Sequence, residues 1–269
     1  MTSQTRQSSP IRFYVIFSYA LFWSMVLGIC GTASIVFHAS PLTMRILSNI
    51  TAWSPTFAVL IAFKKLVPNK SLKEFLRYHF SGKLKASLFL LIPILISGSI
   101  AISVFILSLI EKQSFFSYFS LGGYSLALSI ILSLTTGPTG EELGWRGYLR
   151  PELNKKYGFL KGTIYQGIIW TFWHTILWFL DSEFLDWRII PYVISNVIVI
   201  IAITMIMNII LEYHNNLLYS IWIHFCFNLP YCFLQVNITY YIIMCFVFPI
   251  TATLCYYYYI NHKPNPLKY

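Results

Sequence analysis

Two adjacent carboxylates, Glu141 and Glu142, stand at the end of an apolar run (126–134) in a chain that has only nine acidic residues. Charge at the edge of hydrocarbon is costly, so such a pair marks a functional position. Arg146 lies four residues beyond Glu142, and on a helix the two share a face. Glu141 is turned about 100° away from Glu142, with Trp145 as its i+4 neighbour. One carboxylate can thus be held by the arginine while the other is directed elsewhere, an arrangement suited to a general base acting on water. Two further ionisable groups lie inside apolar runs: His174, in Trp170-Thr-Phe-Trp-His174, and His224, in His224-Phe-Cys-Phe-Asn228. His224 and Asn228 are again i,i+4 and face one neighbour.

A lone intramembrane histidine is usually a hydrogen-bonding contact between helices. Two of them, with Asn228 and a Glu-Glu pair on three separate spans, argue for a shared polar site in a bundle core. His174 and His224 could bind a divalent metal such as zinc, with Glu141 as base or third ligand, or they could orient water without a metal. Asn228 offers an amide donor to a carbonyl oxyanion. No serine or cysteine stands beside a His/Asp pair, which disfavours a covalent nucleophile. Neighbouring carboxylates on one helix diverge, which disfavours a glycosidase. Asn208 and Asn196 read as hydrogen bonds between helices.

The elements that must position these groups are hydrophobic. The 269 residues are 57% apolar and 10% charged, with a mean hydropathy of +0.65. A soluble chain is nearer a quarter charged. The expected fold is all-α: a polytopic integral membrane bundle of about eight transmembrane helices, forming a single integral domain over 13–260, with tails at 1–12 and 261–269. The spans read as 13–37, 46–63, 86–110, 122–136 extended by the Glu141 helix, 159–180, 189–211, 216–235 with a break at Pro230, and 238–260. Each is near the roughly 20 residues needed to cross a bilayer. A signal peptide ending at Gly31-Thr32-Ala33 is the rival reading of the first run; its apolar core is longer than a usual h-region, which favours a retained helix. Pro138 suits a first helical turn. Pro55 kinks or tilts the second span. Between them, Leu72, Phe75, Leu76 and Phe80 have the spacing of a short helix lying on the membrane surface. The five cysteines all lie in apolar runs and read as small buried hydrophobes.

The net charge of +10 is not a nucleic-acid signal, because the basic residues fall between spans. With the N-terminus in the cytoplasm and alternating sides, 16 of the 19 Lys and Arg fall on the cytoplasmic side, and only Arg45, Lys112 and Arg188 fall outside. This bias supports an even number of spans and cytoplasmic termini.

Glu141-Glu142-x-x-x-Arg146, Trp170-x-x-x-His174 and His224-x-x-x-Asn228 together resemble the CAAX protease and bacteriocin-processing (CPBP, or Abi) family of intramembrane proteases, which is related to the type II CAAX prenyl endopeptidase. The string Gly140-Glu-Glu-Leu-Gly-Trp-Arg-Gly-Tyr-Leu149 is similar to the bacterial branch. Trp170 stands where the family usually has phenylalanine. The resemblance covers about 120–230. It implies a site sunk below the cytoplasmic surface and hydrolysis of a peptide bond. In that family Glu141 and His174 would activate water, His224 and Asn228 would stabilise the oxyanion, and Glu142 and Arg146 would support them. It also implies a peptide or protein substrate at the bilayer, and a multi-pass protein of a bacterial cell membrane. A non-catalytic Abi-type scaffold or immunity factor is the alternative, disfavoured because every motif residue is present. A transporter is a third reading, disfavoured because the two halves show no repeat.

Overall fold

The computed structural model describes residues 9–120, 123–180, 184 and 186–263. Among them the chain is helical throughout, apart from one isolated antiparallel bridge between Phe119 and Leu234. Four helices are long and apolar enough to cross a membrane: Pro10–Ile35, Ala86–Glu111, Ile189–Tyr213 and Ile238–Asn261. They coincide with the first, third, sixth and eighth expected spans. The first is one continuous path that passes through a π turn at Val26–Cys30.

The other four expected spans are interrupted, and three of them carry the motif residues. The second is divided into Pro41–Thr51 and Ser54–Ile61, with Pro55 opening the second piece. The fourth runs Leu126–Thr136, breaks at Gly137, and restarts as Pro138–Glu142 with proline in its first turn. It then continues through a π turn, Leu143–Leu149, into Arg150–Tyr157. The fifth stops at Trp173 and resumes as Thr175–Leu180. The seventh is Leu218–Asn228, tightened to a 3₁₀ turn at Leu229–Cys232 around Pro230. Irregular backbone at membrane depth is tolerated where protein surrounds it or where it lines a cavity, and the broken segments pack largely on one another: Ser54–Ile61 on Pro138–Glu142 and Leu143–Leu149, and Leu126–Thr136 on Leu229–Cys232.

The frame is built by helix-on-helix burial. Ile189–Tyr213 packs along both Ile238–Asn261 and Phe159–Trp173, and Ala86–Glu111 packs against Ile238–Asn261 and Leu218–Asn228. On the other side Pro10–Met25 lies on Ser54–Ile61, which in turn touches Pro138–Glu142 and Leu143–Leu149. Polar stitches fix these contacts. Tyr14 Oη donates to the Pro55 carbonyl at 3.3 Å and Tyr19 Oη to the Ile169 carbonyl at 2.5 Å. Asn208 Nδ2 donates to Gln166 Oε1 at 2.8 Å and to Thr163 Oγ1 at 3.0 Å, the expected bond between helices. Asn196 departs from expectation: its amide folds back onto the Tyr192 carbonyl of its own helix at 2.8 Å. Its side chain also lines a cavity.

Contacts at the two ends define an antiparallel bundle. At one end Arg150 pairs with Glu212, Asn216 Nδ2 donates to the Gly82 carbonyl at 2.7 Å, and Tyr213 Oη donates to the His262 carbonyl at 2.7 Å. At the opposite end Glu111 accepts from Tyr118 Oη at 2.7 Å and from Asn237 Nδ2 at 2.6 Å. The helix Leu72–Phe80, started by a capping box between Ser71 and Glu74, belongs to the first end. Its Phe75 and His79 are buried against the bundle while Leu72 and Phe80 stay exposed, so its apolar face is shared between protein and surroundings. The cysteines among the described residues are free thiols. Of the three acidic residues between the fifth and sixth expected spans, Asp181 and Glu183 lie outside the described residues, and Asp186 pairs with Arg188 at 2.9 Å.

Candidate active site

The site begins with a helix break. At Gly137 the chain leaves one helix, and the ring of His224 occupies the space a side chain would need. A Cβ there would lie 2.6 Å from both Cε1 and Nε2 of His224 and 2.9 Å from Oε1 of Glu141. One missing methyl group therefore brings a histidine from Leu218–Asn228 and a glutamate from Pro138–Glu142 to the same spot. Trp53 covers the next turn: its Nε1 donates to the Thr135 carbonyl at 3.0 Å, and its indole leaves no room for a Cβ at Gly140. Asn49 contributes from the same side, donating to Thr135 Oγ1 at 3.1 Å and accepting from Thr136 Oγ1.

The two glutamates diverge as their spacing predicts. Glu142, fully buried, accepts from Arg146 Nη1 at 3.1 Å. The same Oε1 also meets His224 Nδ1 at 2.8 Å, a link between helices that spacing alone does not reveal. Arg146 is fully buried as well; it reaches Thr204 Oγ1 at 3.3 Å and stacks 3.9 Å from the ring centre of Trp170. Glu141 is held through its other oxygen. Oε2 accepts from Trp145 Nε1 at 3.1 Å and from Trp170 Nε1 at 2.6 Å. The indole at position 170 thus supplies an N–H that the phenylalanine of the resembling motif would lack.

His174 owes its position to the second break. Its backbone N–H bonds to Thr171 at 3.1 Å instead of continuing the i→i−4 ladder. The Trp170 carbonyl is left open and meets His174 Nδ1 at 2.8 Å. A carbonyl only accepts, so Nδ1 carries the proton, and the neutral ring presents Nε2 as an acceptor. His224 is oriented in the same sense, with Nδ1 on the Glu142 carboxylate. His174, His224 and Asn228 line one cavity of about 190 Å³, with Trp170 in its wall. The far wall is aromatic and polar, with Tyr192, Tyr231, Tyr241, Ser195 and Asn196. Glu141 lies behind Trp170 and His224, 3% exposed.

Of the four motif residues expected to do chemistry, His174, His224 and Asn228 line the cavity, and Glu141 lies behind its wall, bonded to Trp170. A zinc ion would need three or four converging protein donors. Among the described residues no three His, Cys, Asp or Glu side chains converge in that way, so His174 and His224 alone fall short of a ligand set.

Residues 122–230 match the family model "Type II CAAX prenyl endopeptidase Rce1-like". That segment, less than half of the chain, is similar to the Rce1-like family. A curated relative, CAAX prenyl protease 2 of Methanococcus maripaludis, is 31% identical over 139 residues. The matched stretch covers 49% of this chain and 49% of that relative, so the chain spans about half the length of the curated relative it matches. The matched segment contains Glu141, Glu142, Arg146, Trp170, His174, His224 and Asn228, while Asn49 and Trp53 brace the site from before it and Tyr231 and Tyr241 line the cavity from beyond it.

Proposed function

We propose that the chain is an intramembrane endopeptidase that hydrolyses a peptide bond by activating water, without a covalent intermediate. The observation that carries this reading is that His174, His224 and Asn228 line one cavity while Glu141 stands directly behind its wall beside His224 and Trp170, all within the segment that matches the Rce1-like model. Water bound at the cavity wall gives a proton to Glu141, with His174 Nε2 as the second acceptor. The oxygen bonds to the scissile carbonyl carbon, and the oxyanion that forms is stabilised by the Asn228 amide and by the His224 ring. The C–N bond then breaks as the proton passes to the departing amine. Glu142, held by Arg146, fixes the His224 ring as a carboxylate partner fixes a histidine in other hydrolases.

The substrate is a peptide or protein presented at the bilayer. The name of the curated relative supports a CAAX prenyl substrate; a leader or signal remnant without a prenyl group is the competing class. The basic end of the bundle faces the cytoplasm of the cell, with both termini on that side. A short peptide offered with and without its prenyl group to membranes holding the protein separates the two substrate classes. Glu141→Ala and His174→Ala variants, present at wild-type levels, should both lose cleavage. Retention of full activity by both would end the protease reading. Metal enters as a separate test: cleavage should survive exhaustive treatment with zinc chelators, and a loss restored by zinc would instead place an ion on His174 and His224.

A further inference from the structure

We infer that Trp170 is the positioning residue of the site, holding Glu141 through its indole N–H and His174 through its backbone carbonyl. This rests on the reading of Glu141 as the group that activates water.

The geometry gives one residue two tasks. Nε1 of Trp170 lies 2.6 Å from Glu141 Oε2, and its carbonyl oxygen lies 2.8 Å from His174 Nδ1. The ring is itself clamped, with the Arg146 guanidinium 3.9 Å from its centre and the edge of His224 at 5.1 Å between centroids. Its side chain is 3% exposed. Two indole N–H groups converge on Oε2, from Trp145 and Trp170, which fixes the rotation of the carboxylate and turns Oε1 toward His224.

The two tryptophans differ in what they tie together. Trp145 is four residues along the chain from Glu141 and moves with it. Trp170 comes from Phe159–Trp173, the helix that ends at His174. It therefore sets the distance between the two proton acceptors, which otherwise sit on separate helices. An N–H to a buried carboxylate is a charge-assisted bond in a water-poor site, where an orientation error slows proton transfer directly.

The test uses the full-length protein in proteoliposomes. Trp170 is replaced by phenylalanine (Trp170→Phe) and, by unnatural-residue incorporation, by 3-benzothienylalanine, which keeps the indole shape but has sulfur in place of N–H. Both should lower kcat by about 10- to 100-fold and leave KM within about twofold, because the indole N–H touches the carboxylate and not the substrate. The benzothienyl protein should stay folded and lose only a few degrees of melting temperature, the cost of one buried hydrogen bond. Glu141→Ala, run in parallel, separates the two claims. If Glu141→Ala is active, the reading of Glu141 fails and the inference fails with it. If Glu141→Ala is dead and the benzothienyl protein keeps wild-type kcat, the inference alone is overturned, and Trp170 acts only by filling space. A rise in KM with unchanged kcat would overturn it too, by making Trp170 a substrate contact.

Discussion

Replacing Gly137 by alanine should separate activity from stability. The backbone there, at φ −103° and ψ −53°, is open to any L-residue, so alanine brings no conformational strain. In a helical stretch it is favoured over glycine by up to about 1 kcal/mol. What the new methyl meets is the site. It would sit 2.6 Å from Cε1 and Nε2 of His224 and 2.9 Å from Glu141 Oε1, against a comfortable separation of about 3.5–4.0 Å. The ring must retreat by about 1 Å, against its 2.8 Å bond to Glu142 and the indole edge of Trp170. A misplacement of that size costs on the order of 100-fold in rate. The assay is initial-rate cleavage in proteoliposomes together with thermal unfolding of the same preparation. Gly137→Ala should keep its melting temperature within a few degrees while kcat falls about a hundredfold. Gly98→Ala, where nothing lies within 4 Å of the added carbon, should change neither. A Gly137→Ala protein with wild-type kcat would refute the reasoning, since His224 and Glu141 would then not need the space that glycine leaves.

Other outcomes follow from the same packing. Arg146→Met removes the cation that holds the buried Glu142, and should cost about 3–5 kcal/mol of stability. Adding Glu142→Gln should recover part of it, and equal melting of the single variant and wild type would count against the ion pair. His79, outside the spans, is pushed down to about 4 by burial first and by Arg150 and Lys70 second. It is therefore neutral in the fold and protonates more readily when unfolded. Stability from this residue is complete above about pH 6.5 and is lost as pH falls toward 4, by about 2 kcal/mol between pH 7 and pH 5. His79→Gln should remove that part of the acid sensitivity; identical pH-melting curves for variant and wild type would contradict the assignment.

What the sequence made legible was local. Glu142 with Arg146, Trp170 with His174 and His224 with Asn228 are one helical turn apart, and spacing of that kind survives any arrangement of the helices. The unbroken spans were equally readable, because their apolar runs carry no interruption. Contacts across helices were not. The bond from His224 to Glu142 spans 82 residues and that from Trp170 to Glu141 spans 29, and neither follows from periodicity. Trp170 was legible only as an aromatic in the place of the family's phenylalanine, since its N–H gains meaning only from what lies opposite. The break at His174 had no proline to announce it. Gly137 carried a usable signal, a glycine directly before a helix-opening proline, but a glycine that ends a helix and a glycine that admits a histidine ring look alike in one dimension.

The π turn Leu143–Leu149 acts as a length gauge. One extra residue is taken up in its wider coil between the glutamate pair and Arg150, which is anchored to Glu212. Removing that residue would return the stretch to ordinary α-geometry with its flanks still in register, so the glutamates and Arg150 would keep their partners. Removing a second would turn one flank by about 100° against the other and part either Glu142 from His224 or Arg150 from Glu212. The wide coil thus gives this stretch a margin of one residue in length that an unbroken α-helix lacks.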